Sequence, residues 1–152
     1  MKVSWKPRED DTEGSTIVLG DDSLGFRAAG SKFIIEAGPT SEQWLNQSVA
    51  RPGAAEIKTF DRKNKQTAYV VIVDYQFSSL GASQKFRHAI GNDMSGGGVL
   101  EISHDGGGQD SLEAVLTGID LVSGHGLNLV LRYTFLGGAF FKGPASNQVP
   151  IL

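Results

Sequence analysis

The chain has 152 residues, 39% of them apolar, with a formal net charge of -3, 20 glycines and no cysteine. That length fits one domain with an adequate core. Disulfides and thiolate chemistry are excluded, and the acidic balance argues against a general nucleic-acid binder, which needs a cationic face.

Residues 1–14 are polar and mixed in charge, with Glu9, Asp10, Asp11 and Glu13 in series, and read as a solvated N-terminal arm. The first six residues lack the apolar core of a signal peptide. No apolar run approaches the roughly 20 residues that cross a bilayer, so no membrane association is expected. Trp5 is the exception within the arm, because so large an apolar group suits a segment that orders against a neighbour. Residues 16–19 read as a short strand ended by Gly20-Asp21-Asp22. Residues 24–28 and 32–37 suggest a hairpin about Gly30-Ser31, with Gly38-Pro39 as its stop. Over 41–49, the spacing of Trp44, Leu45 and Val49 fits a short helix or an ordered loop, and Arg51-Pro52-Gly53 breaks the pattern.

Residues 56–60 and 66–77 read as strands around the polar turn Asp61-Arg62-Lys63-Asn64-Lys65. In the second, Tyr69, Val71, Val73, Tyr75 and Phe77 share one face and Val70 and Ile72 the other. Apolar on both sides over part of its length, it belongs in the middle of a sheet. The one substantial helix falls within 79–90: Ser79 caps it, Ala82, Phe86, Ala89 and Ile90 form its apolar stripe, and Gly91-Asn92 ends it.

A glycine-rich turn at 95–98 leads to a strand at 99–103, and a second such turn at 104–110 leads into a long hairpin. Leu112, Ala114 and Leu116 alternate, then Ile119 and Leu121 continue one residue out of phase across Gly118, which reads as a β-bulge. After the turn Ser123-Gly124-His125-Gly126, Leu127, Leu129, Leu131, Tyr133 and Phe135 alternate with Asn128, Val130, Arg132 and Thr134. The tail, 139–152, holds Phe140, Phe141, Ile151 and Leu152 with no period of its own. Either these groups complete the core or, like Trp5, they make assembly contacts with another subunit, since monomers rarely expose large apolar patches. The expected fold is mainly β, an antiparallel β-sandwich or barrel with one short flanking helix, spanning 15–138 between an arm and a tail.

The glycine runs do not make a phosphate loop: Gly96-Gly97-Gly98 has no lysine after it, and neither it nor Gly30-Ser31-Lys32 joins a strand to a following helix. The turn from His104 to Asp110 offers carboxylates, but its spacing matches no calcium loop. His88, His104 and His125 lack zinc-ligand spacing, and no serine sits in a nucleophile elbow. No catalytic, cofactor or metal site is therefore expected, and the chain reads as a non-enzyme. Trp5, Trp44, Phe140 and Phe141 lie outside clear strand patterns, and loop aromatics stack on sugars, so a carbohydrate-binding, lectin-like β-sandwich is the alternative.

From Phe60-Asp61-Arg62-Lys63-Asn64, the order is a long strand, a short helix ending near His88, a glycine turn and a strand. Leu116-Thr117 and a hairpin closing on Tyr133-Thr134-Phe135-Leu136-Gly137-Gly138 then follow. This order, over about half the chain, resembles small tail structural proteins of tailed phages and prophages. It is similar in plan to the tail-tube and distal-tail types, β-sandwiches or barrels with one flanking helix. The resemblance implies a virion building block, made in the bacterial host cytoplasm and incorporated in the virion tail. It implies a homo-oligomeric ring in which the sheets of adjacent subunits form a continuous inner wall, with neighbouring tail proteins as further partners. Contacts between subunits and rings would fall to 112–136, to the arm and to the tail. DNA would pass without sequence-specific binding, and an acidic chain suits a lumen that does not grip it.

Overall fold

The alternating segments of the sequence become neighbouring strands whose apolar faces line one interior. The computed structural model describes residues 1–7, 16–50, 57–94 and 96–142. Its strands are β1 (Lys2–Pro7), β2 (Ile17–Asp21), β3 (Lys32–Ala50), β4 (Ile57–Gln76), β5 (Gly97–Ser103), β6 (Gln109–His125) and β7 (Asn128–Lys142). They close into an antiparallel barrel in the order β1-β2-β3-β4-β7-β6-β5, and one α-helix, α1 (Leu80–Asp93), joins β4 to β5. Among the described residues, the mainly β fold with one short α-helix is the architecture expected from the sequence.

Strand registers assemble the core row by row. Ile34, Val73, Leu131 and Leu121 lie side by side across β3, β4, β7 and β6, as do Ala37, Val71, Tyr133 and Ile119. Val71, Val73, Leu131 and Tyr133 are fully buried, so one face of this four-stranded sheet points inward. The Gly118 bulge is present, with the β6–β7 register shifting between Leu116 and Gly118. The hairpin turn is tighter than expected: β6 runs to His125 and β7 starts at Asn128. Ser79 accepts the Ala82 N–H at 3.1 Å and so caps α1. The helix then packs Phe86 against Tyr75 and Phe77, with ring centroids 4.7 and 5.4 Å apart, and buries Ile90.

A buried hydroxyl relay ties the two sides of the barrel. Between Val3 and Ser4 the β1–β2 register shifts, which leaves Leu19 without a partner in β1. The Tyr75 hydroxyl donates to the Leu19 carbonyl at 2.6 Å, and the Tyr133 hydroxyl lies 2.7 Å from that of Tyr75. Since Tyr75 has a single hydroxyl hydrogen, Tyr133 is the donor of the second bond. Burial raises the pKa of both phenols.

Five local expectations are corrected. Residues 2–7 are not a solvated arm: β1 pairs with both β2 and β5, and Val3 and Trp5 are fully buried. Their alternation carries apolar groups inward, and strand pairing satisfies the backbone that an arm would leave to water. Gly38-Pro39 does not stop a strand, because β3 continues past it with a register shift between Pro39 and Ser41, a bulge of the kind that accommodates proline. The helix or loop considered for 41–49 is therefore strand. The turn at 61–65 is absorbed into β4: Leu45 pairs with Asn64 and Asn46 with Asp61, so Arg62 and Lys63 bulge out of the ladder. The tail does not begin at 139, since β7 extends to Lys142.

Candidate assembly surface

The residues expected to make assembly contacts fall into three groups. Trp5 is in the core, 5.0 Å from the Phe135 ring between centroids, so it is not a contact on the surface. Phe140 and Phe141 belong to β7, where their backbones pair with Leu112 and Ser111 of β6. Ile151 and Leu152 lie outside the described residues. Sequence reasoning missed a different feature, the unequal lengths of neighbouring strands, which pairing alone reveals.

β3, β4, β7 and β6 form a four-stranded sheet that the other strands close only at its corners. β2 meets β3 through the single pair Asp21 and Lys32, supported by the Ile34 N–H donating to Asp22 at 2.8 Å. β5 accompanies β6 only over Gln109 to Val115. Beyond these points, among the described residues, Ile35 to Thr40 of β3 have no strand partner except β4. Leu116 to His125 of β6 likewise have only β7. The two stretches overlap in height on opposite borders of one sheet, the rows from Glu36 and Asp120 to Pro39 and Leu116 crossing both. A strand edge of this kind presents backbone donors and acceptors ready to pair with another chain.

Past Thr67, which pairs with Gly137, β4 has no partner in β7, and β3 and β4 continue as a two-stranded ribbon from Gln43 paired with Gln66 to Ala50 paired with Ile57. Most of the exposed large apolar residues among those described lie by the sheet borders, Leu24, Phe26 and Ile35 by β3 and Val115, Leu121, Val122 and Leu127 by β6, while Leu80 lies on α1 and Leu136 on β7. On the outward face Arg132 and Asp120 pair at 3.2 Å, exposed to solvent and worth little stability.

The polar candidates are dispersed. His104 binds Asp110 at 2.8 Å across the β5–β6 turn, while His88 lies on α1 and His125 ends β6. Among the described residues no three His, Asp or Glu side chains come together as a metal site, and no helix is long and apolar enough to cross a membrane. Comparison with known proteins gives no matching family model, no matching curated sequence and no matching solved structure.

Proposed function

We propose that this chain is a self-assembling structural subunit of the phage-tail type, a non-enzymatic building block that forms a ring through the borders of its four-stranded sheet. The observation that carries the reading is the pair of strand edges at overlapping height. In an antiparallel sheet of four strands the outer two, β3 and β6, run in opposite directions. A rotation that carries one copy to the next preserves strand direction, so β6 of one copy meets β3 of its neighbour antiparallel. The sheet then continues from subunit to subunit, and the cyclic symmetry closes it. On this reading the β3–β4 ribbon, which extends past the barrel, reaches an adjacent ring.

The lectin-like alternative is weaker because Trp5, one of its candidate sugar-stacking aromatics, is core. Light scattering of the purified chain over a concentration series tests the reading. It predicts a discrete mass several times the 16.2 kDa monomer. A monomer at every concentration overturns it, and glycan-array binding by that monomer establishes the alternative.

A further inference from the structure

The two sheet borders differ in the side chains they carry. Beside β3, Leu24, Phe26 and Ile35 are 59%, 51% and 52% exposed; beside β6, Leu121, Val122 and Leu127 are 56%, 51% and 47% exposed. Both borders bulge beside the same row of the sheet, on opposite sides of it. The row through Ile34, Val73, Leu131 and Leu121 is followed by a register shift at each end, which leaves Ile35 on β3 and Val122 on β6 without an opposite residue. Edge bulges that deter pairing often come with a charge, and these two display isoleucine and valine instead.

The β3 patch is also held in shape. Phe26 packs edge-on to Phe33 with centroids 5.0 Å apart, and the Arg27 guanidinium sits 5.0 Å over the Phe26 ring. Arg27 adopts a φ of 63°, a left-handed conformation uncommon for a residue with a side chain. Arg27 and the exposed Glu36 flank the β3 patch, and Asp120, paired with Arg132, flanks the β6 patch.

We infer that these patches are the two halves of one head-to-tail contact, in which Leu121, Val122 and Leu127 of one copy seat against Leu24, Phe26 and Ile35 of the next. This rests on the ring reading proposed above. A second copy is the occupant because each border finds its complement on the same chain: an antiparallel edge at overlapping height, and an exposed apolar residue at a bulge beside the same row. The halves are different surfaces, so the contact is heterologous and propagates until rotation closes it.

Phe26→Asp and Val122→Asp, each made in the full chain, test this by light scattering alone and in equal mixture. Each variant is expected to remain folded by circular dichroism and to fall to the monomer mass. The mixture is expected to give dimers and nothing larger, because Phe26→Asp keeps the β6 patch and Val122→Asp keeps the β3 patch. Should either aspartate variant lose its fold, Phe26→Ser and Val122→Ser replace it. If the natural chain assembles and both variants still do, the patches are not the contact, while the ring reading stands. If both variants are monomers and the mixture stays monomeric, head-to-tail pairing of these patches is wrong. A natural chain that is itself monomeric overturns both the reading and the contact.

Discussion

Tyr75 and Tyr133 are chemically alike and equally sealed from water, yet removing their hydroxyls has unequal consequences. Tyr133→Phe deletes one hydrogen bond and strands no donor, because Tyr75 still donates to the Leu19 carbonyl. The expected cost is about 0.5–1.5 kcal/mol, the net worth of one such bond. Tyr75→Phe deletes both bonds, leaves the Tyr133 O–H buried with no acceptor, and removes the partner of the Leu19 carbonyl at the β2 bulge. Two lost bonds and a stranded donor bring the cost to about 2–4 kcal/mol. In the double variant the stranded donor is gone as well, so its cost falls below the sum of the singles by about 1–2 kcal/mol. Urea denaturation of the four proteins, followed by the fluorescence of buried Trp5, measures the cycle. Equal costs for the two single variants, or a double variant at the full sum, would refute the assigned direction of the relay.

The remaining predictions concern pH and packing. Burial, followed by the Asp110 carboxylate, pushes the Tyr69 pKa up to about 12, and burial raises those of Tyr75 and Tyr133 from the ordinary value of 10.0. The folded chain therefore keeps protons that the unfolded chain sheds above pH 10, so the stability these groups supply is complete below that pH and is lost as pH rises through the folded values. The urea midpoint should fall steeply between about pH 10 and 12 and less so in Tyr69→Phe; an unchanged slope contradicts the burial argument. Trp5→Ala should cost about 3–5 kcal/mol as a large core truncation, whereas a change near zero would restore the N-terminal arm. At Gly98 an added Cβ would press on the Lys6 carbonyl and come within 2.7 Å of the Trp5 ring, so Gly98→Ala should destabilise by about 1–3 kcal/mol in the same assay. A neutral Gly98→Ala would show that β1 and β5 are less closely packed than described.

What the sequence revealed depended on how local the determining physics was. β7 and the second half of β4 were legible because burial of one face imposes a period of two, and Leu131, Tyr133, Val71 and Val73 obey it. The Gly118 bulge was legible because a phase slip at glycine has one simple backbone explanation. Helix α1 carried its own cap in Ser79. β3 was illegible past Ala37, because Pro39 normally interrupts a ladder and only the bulge opposite Tyr69 and Ala68 shows how this one is accommodated. β1 was obscured by the acidic run at 9–13, although Val3 and Trp5 alternate with Lys2, Ser4 and Lys6. The candidate surface was legible only in part: the family resemblance pointed to 112–136, which contains the β6 border, but nothing pointed to β3. An edge exists only where a neighbour ends, and that follows from the long-range pairing of β5 with β6 and of β2 with β3.

Negative-stain electron microscopy of the purified full-length chain tests the central claim most directly. The account predicts rings of uniform diameter, or tubes of stacked rings, with each subunit joined to two neighbours through the borders at β3 and β6. A field of isolated particles no larger than a single barrel, at concentrations where the protein remains folded, would contradict it.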